Sequence, residues 1–388
     1  MTLSGRLAQT NLVELALLIQ AIPAPTFAEA DRAGFVRGRC EQAGVHAEVV
    51  THDDGSTNTY ARVPGADPSL PVLLVSAHTD TVFPAAVDLA VRHDPSAGRI
   101  SGPGLGDNSV AVAALVALAA ALRSSCEADE TELPCDVWLV ANAGEEGLGD
   151  LRGMRAAIEH VRAAAPGGIG AAIVLEGLLL GSVYHRSIGV RRYRLEVEAP
   201  GGHSWGSFGA PSAVHELVRL LGDVVDLAVP RSPRTTFNVG RVEGGTSVNT
   251  IAAAAWAEID LRSETTEEVE RLERRLLEIA RSPRPAEVVV RAVRIGSRPA
   301  GALDEHHPLV IAATEALAAV GIAAELGSGS TDANALLAAG VPAVCVGVTT
   351  GGSAHRLDEY INLDPIEQGL QQLALLVPEA VRIAASGS

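Results

Sequence analysis

The chain reads as an α/β protein with a mostly parallel sheet flanked by helices and interrupted by a smaller βαββαβ unit. Three observations carry this expectation. Apolar strand-like runs alternate with amphipathic helical stretches through the first half, the texture changes to strict alternation near residue 188, and the first pattern resumes near residue 301. Boundaries are therefore expected at 1–187, 188–300 and 301–388, the first and third segments forming one domain around an insertion.

The elements follow in order. "MTLSGRLAQTNLVELALLIQAIP" carries no basic region feeding an uninterrupted apolar run, because Glu14 and Gln20 punctuate it at amphipathic spacing. It predicts a helix over 11–21, followed by one over 27–43. "HAEVV" and "NTYARV" read as strands. Strand 72–77, helix 109–123, strand 136–143, helix 150–164 and strand 171–177 complete the first half. The Ala-rich run "SVAVAALVALAAAL" at 109–122 is shorter than the roughly 20 residues of a membrane helix and reads as a buried one.

In the insertion "YRLEVEA" alternates strictly and "PSAVHELVRLLGDVVDLA" is helical. "TTFNVGRV" and "AAAAWAEIDLR" are strands. "EEVERLERRLLEIARS" is a helix with Val269, Leu272, Leu276 and Ile279 on one face, and "EVVVRAVRI" is a last strand. The order βαββαβ is that of a ferredoxin-like unit. Helix 308–320, the loop "GSGSTDANALLAAG", strand "VPAVCVGV" and a helix from 365 close the chain.

Composition narrows the function. The 388 residues are 47% hydrophobic and 20% charged, which provides for a large core, and the formal charge of −17 disfavours nucleic acid and anionic membrane as partners. Cys40, Cys126, Cys135 and Cys345 form no CxxC pair, so neither a disulfide framework nor a thiolate metal site is expected. A reducing cytoplasm is the expected compartment.

In an open α/β sheet, ligands bind beyond the carboxyl ends of the strands. Five polar clusters fall at such places: "SAHTD", "GPGLGDNS", "NAGEEG", "LEG" and "GGSAHRLDE". They contribute His78 and Asp80, Asp107, Glu145 and Glu146, Glu176, and His355. Each has an ordinary reading alone, as a structural His, a helix cap or solvated surface charge. Together they gather carboxylates that are costly to bury unless neutralised, and with no Lys in the clusters a metal cation is the natural partner. Imidazole and carboxylate without thiolate suits zinc, with cobalt or manganese as substitutes. Five ligating groups with one carboxylate bridging suggest two ions, about 3.5–4 Å apart in hydrolytic sites that supply a hydroxide and polarise a carbonyl. Asp80 is left to orient His78 through its second ring nitrogen. Successive side chains of an extended segment point to opposite sides, so one of Glu145 and Glu146 ligates and the other can act as general base.

The ordered set "HTD", "GLGD", "EE", "LEG" and "AHRLDE", with the insertion between the last two, resembles the dinuclear zinc peptidases and deacylases. That family includes glutamate carboxypeptidase, peptidase T, aminoacylase, acetylornithine deacetylase and succinyl-diaminopimelate desuccinylase. The resemblance implies a zinc-exopeptidase core with an inserted lid and dimerisation domain. It implies one Zn2+ on His78 and Glu176, a second on Glu146 and His355, Asp107 bridging both, Glu145 as general base and Asp80 beside His78. It also implies a cis peptide between Asp107 and Asn108. "PGGHSW" matches the lid motif, which makes His203 the residue that stabilises an oxyanion, in dimeric members from the partner subunit. "GGTSVNTI" and "EIDLRS" nominate Asn249 and Arg262 as substrate contacts.

Departures are Ala77 before the metal His, and Asn108, Ser109 and Val110 in place of the usual Asp, Lys and Gly. Glu176 resembles carboxypeptidases and deacylases, whereas "GSTDAN" resembles peptidase T. That loop could present backbone N–H groups at a helix N-terminus to an anionic group, but Ser330, Thr331 or Asp332 as a plain cap of the following helix is the expected reading. The expected function is a two-zinc hydrolase acting on a small peptide or N-acyl amino acid, with a homodimer formed through the insertion. A di- or tripeptide aminopeptidase and a silent zinc-containing binding protein are the alternatives.

Overall fold

In the computed structural model, the described residues are 2–128 and 132–387. The chain forms two compact units. One runs up to Ser187 and resumes at Ala302; the other is Ile188–Gly301.

The first unit is built on a mixed sheet. Its centre is four parallel strands lying in the order Val137–Asn142, Val72–His78, Ile169–Glu176 and Ala343–Gly347. Val72–His78 and Val137–Asn142 are buried throughout, as expected of strands covered by helices on both faces. The register sets His78 opposite Asn142 and Gly347 opposite Glu176, so these strand ends finish level. Thr57–Val63 pairs antiparallel with Val137–Asn142, and His46–Thr51 lies beyond it. On the other flank Ser182–Ser187 runs antiparallel to Ala343–Gly347, with Glu325–Gly329 parallel to Ser182–Ser187.

Those last two strands escape the sequence reading. "SVYHRS" has no apolar alternation, and "ELGSG" looks like turn chemistry. The glycines serve close packing instead: a Cβ on Gly327 or Gly329 would lie 2.8 or 2.5 Å from the Tyr184 ring. The expected loop "GSGSTDANALLAAG" thus begins as strand and contains the helix Ala333–Ala338.

Helix boundaries shift for identifiable reasons. The helix expected over 11–21 is Leu12–Gln20, where the Asn11 side chain caps it by accepting the Glu14 N–H, and an unexpected short helix, Leu3–Ala8, precedes it. The helix expected from 27 begins at Ala30, since Phe27 takes a φ of 80° and its N–H donates to the Glu29 carboxylate. The Ala-rich α-helix runs Val110–Glu127, four residues beyond its expected end, and with the kinked turn Leu105–Ser109 ahead of it the stretch Leu105–Glu127 is long and apolar enough to span a membrane by length and composition. Its most apolar window is 89% buried within the protein, which makes it a core helix.

The second unit follows the order Gly189–Glu198, Ala213–Val225, Thr235–Gly244, Ala254–Ser263, Thr266–Ala280, Val289–Arg298. Its antiparallel sheet places Thr235–Gly244, Ala254–Ser263, Gly189–Glu198 and Val289–Arg298 side by side, which is order 2-3-1-4 in chain numbering. Alternation sends Leu195, Ile259 and Leu261 into a core with Leu272 and Leu276 of the second helix. The same alternation leaves charge on the opposite face. Asp260 pairs with Arg192 and Arg262, Glu258 with Arg194 and Arg241, and those last two guanidiniums stack over the Trp256 ring at 3.9 and 5.0 Å.

Candidate active site

The level strand ends bring the polar clusters together. His78 closes its strand and Glu176 closes the next, while Glu145 and Glu146 follow three and four residues after Asn142. Asp107 sits where the helical path breaks ahead of the core helix, with non-helical dihedrals at Asp107 and Asn108. The Asp107–Asn108 peptide is cis.

Asp107 is the hub. Its Oδ1 lies 3.1 Å from Nε2 of His78, and its Oδ2 lies 3.1 Å from Nε2 of His355. Glu176 Oε2 is 3.6 Å from His78 Nε2, and Glu146 Oε1 is 3.2 Å from His355 Nε2. Two sets result, His78 with Asp107 and Glu176, and Asp107 with Glu146 and His355. Within each set the prospective ligand atoms lie inside 4.8 Å of one another.

Glu145 and Glu146 depart from the expected alternation. One carboxylate oxygen of each lies within 4.8 Å of the other and of a His78 ring nitrogen. Gly144 and Gly147 flank the pair at φ 72° and 51°, so the chain bends on either side of the pair while Glu146 stays extended, and both side chains reach the same cluster.

Asp80 makes more contacts than the sequence suggests. The Nδ1 of His78 is 3.1 Å from its carbonyl oxygen and 3.6 Å from its carboxylate. The carboxylate accepts the main-chain N–H groups of Glu145 and Glu146, and Thr26 donates its hydroxyl. Behind it the buried Arg32 donates to the carbonyl oxygens of Ile22 and Thr79. Arg32 was invisible to motif reading because its partners are all main-chain atoms.

The electrostatics suit a cation. Burial by itself raises Asp107, yet hydrogen bonds from His355 and His78 outweigh it and hold the carboxyl well below the usual range. Burial pushes Glu176 up, with His78 countering only in part. Crowded, half-buried carboxylates carrying this penalty, set between imidazoles with no thiolate, are a hard donor set that a divalent ion would neutralise.

Two further residues brace the ligand candidates. The Asn108 carboxamide donates to the Leu175 carbonyl at 2.9 Å and accepts the Gly177 N–H at 2.8 Å, bracketing Glu176. Glu359, within the quoted "AHRLDE", is fully buried beside Asp107. In "GSTDAN", Thr331 Oγ1 accepts the Ala333 N–H, whereas Asp332 turns inward to accept from Asn142 at 2.7 Å.

In the second unit Gly202–His203 pairs with Thr250–Ile251, and the Ser204 N–H donates to the Asn249 carbonyl, so His203 and Asn249 are neighbours. Arg262 lies eight residues along the strand from Ala254, opposite Thr236, with its Nε on Asp260. Strand rise makes that run about 26 Å.

With this geometry in view, comparison with known proteins is decisive for ancestry. Residues 74–379 match the model of Peptidase family M20/M25/M40. The chain belongs to that family. A relative named probable carboxypeptidase from Aspergillus oryzae is 29% identical over 59% of this chain and 55% of its own length. The N-acetyl-L-citrulline deacetylase of Xanthomonas campestris is 28% identical over 87% of this chain and 89% of its own. The matched region spans about half the length of the Aspergillus carboxypeptidases. Among solved structures, the dipeptidase Dug1p of Saccharomyces cerevisiae superposes with a TM-score of 0.76 at 16% identity, covering 98% of both chains. That likeness establishes a shared fold.

Proposed function

We propose that this chain is a metal-dependent hydrolase cleaving an amide or peptide bond in a small carboxylate-bearing substrate, of the carboxypeptidase or N-acyl-amino-acid deacylase type. The observation that carries the reading is Asp107, whose two oxygens each face a different imidazole at 3.1 Å, each imidazole with its own second carboxylate. His78, Asp107 and Glu176 would hold one Zn2+, and Asp107, Glu146 and His355 the other, with Co2+ or Mn2+ as substitutes. Bound there, the ions would supply an activated water and polarise the scissile carbonyl.

Glu145 acts as general base, then acid. Its carboxylate takes a proton from the attacking water and returns it to the amine nitrogen as the C–N bond breaks. Its near-burial, at 6% exposure, keeps bulk water from competing for that proton. Asp80 holds the Glu145 and Glu146 main chain and the His78 ring. His203 stabilises the oxyanion, and Asn249 and Arg262 bind substrate, the Arg262 fork suiting a carboxylate. The run of about 26 Å between the His203 end of the strand and Arg262 exceeds a small substrate. This supports a homodimer in which the two groups at one site come from different chains.

The test is amine release from a panel of N-acyl amino acids, dipeptides and tripeptides by zinc-loaded protein, with Glu145→Ala as control. Selective cleavage lost in the variant supports the reading, and the preferred substrate class chooses between deacylase, carboxypeptidase and aminopeptidase. Cleavage that persists in the variant would sink the role of Glu145. No cleavage across the panel by a two-metal protein would favour a silent binding protein.

A further inference from the structure

Glu359 is a buried carboxylate that the chemistry above does not use. Its side chain is wholly enclosed. Its Oε1 accepts two main-chain N–H groups, from Gly106 at 2.6 Å and Asp107 at 2.8 Å, and its own carbonyl oxygen accepts the Gly102 N–H at 2.7 Å. One residue therefore grips both ends of the loop 102–107 that carries Asp107. Beyond it, Tyr360–Asn362 continues as a strand paired antiparallel with Arg99–Ser101. The other oxygen, Oε2, is buried with no hydrogen-bond partner among the described residues.

On the other side stands His355, four residues earlier. Its turn is exposed, with the imidazole 55% accessible, and Ser353 and His355 both take left-handed φ values of 58° and 66°. Such a turn has little packing of its own to hold a ring in register with Asp107. Its downstream end is held where the Glu359 N–H donates to the Arg356 carbonyl and the Glu359 side chain enters the core. Burying a carboxylate is costly, and a purely space-filling role would be met by an apolar side chain. Two N–H donors converging on one oxygen are a reason to have an anion there.

We propose that Glu359 is a positioning residue for the Asp107–His355 pair, fixing the Asp107 main chain from the His355 side so that the Asp107 carboxylate meets both imidazoles at once. This rests on the reading of Asp107 and His355 as metal ligands. Removing the grip leaves two buried N–H groups unpaired and frees the two loops to drift apart.

The experiment compares wild type, Glu359→Ala, Glu359→Gln and Glu359→Asp. Zn2+ affinity and stoichiometry are measured by competition with a chromophoric chelator, and the visible spectrum of the Co2+-loaded protein reports ligand geometry. Unfolding of the chelator-treated protein reports fold. Glu359→Ala should lose about tenfold to hundredfold in Zn2+ affinity and change the Co2+ spectrum, as for other residues that orient metal ligands. Glu359→Gln keeps an acceptor oxygen in place and should recover most of both. Glu359→Asp keeps the charge but withdraws the acceptor by one methylene, so it should fold and still bind Zn2+ weakly, which covers the case of an unfolded Ala variant. Wild-type Zn2+ affinity and Co2+ spectrum in folded Ala or Asp variants overturn the positioning role alone. A wild-type protein that takes up no Zn2+ overturns this role together with the metal reading.

Discussion

The carboxylate of Asp80 accepts the main-chain N–H of Glu146 at 2.9 Å, and its second oxygen takes that of Glu145 at 3.0 Å. With its carbonyl oxygen 3.1 Å from His78 Nδ1, this one residue ties an imidazole to the glutamate pair. Asp80→Ala leaves two buried donors unpaired, at about 1–3 kcal/mol each. The expected result is a large fall in kcat with a smaller change in KM, and a milder loss in Asp80→Asn, which keeps one acceptor oxygen. Wild-type kcat in a folded Asp80→Ala protein would show that the pair is held by other means.

Asn108 brackets Glu176 through one donor and one acceptor, a combination only a carboxamide supplies here. Asn108→Ala should weaken the ion held by His78 and Glu176 more than the one held by Glu146 and His355. Titration with Zn2+ would then resolve one tight and one weakened site. Equal weakening of both would point to a general loosening of the loop.

Removing metal should destabilise the protein. An ion at 100 times its Kd contributes about 2.7 kcal/mol to folding, and two contribute more. Dialysis against a chelator is expected to lower Tm, and adding back Zn2+ to restore it in a concentration-dependent way. An unchanged Tm in Zn2+ excess would mean that no ion binds the native state.

Complementation tests the source of His203. If it serves the partner's site, mixing inactive Glu145→Ala with inactive His203→Ala under subunit exchange regains activity, because one mixed site has an intact Glu145 and an intact His203. A mixture as silent as its parts places His203 in its own chain's site.

Away from the site, burial and the neighbouring His160 lower the pKa of His52, whose Nε2 is 2.8 Å from the Tyr60 hydroxyl. A folded-state pKa below the ordinary 6.5 means that the unfolded chain binds the proton more readily. His52 thus stabilises the fold above pH 6.5, and that contribution fades as pH falls through 6.5 and then through the lower folded value. Urea midpoints of wild type and His52→Gln should diverge at pH 7.5 and converge at acid pH. A constant difference would contradict the assignment.

The layout of strands and helices was legible wherever burial imposes a period. Val72–His78 and Val137–Asn142 are apolar because helices cover them, and Leu195, Ile259 and Leu261 alternate because one sheet face is open. The short strands that reading missed, such as Ser182–Ser187 and Glu325–Gly329, owe their form to neighbours rather than to periodicity.

The polar clusters, too, were readable from the chain as residue types standing at strand ends, and their gathering followed from parallel strands finishing together. What only the tertiary structure decided is how they are held. Glu145 and Glu146 reach one cluster between two left-handed glycines, and the Asp107 N–H that backs the carboxylate facing two imidazoles is taken by Glu359, 252 residues away in sequence. Local sequence sets which chemistry a residue can offer and which face it occupies. The partners of a main-chain N–H or carbonyl leave no mark on residue type, so bonds such as those of Arg32, Asn108 and Glu359 emerge only when distant segments meet.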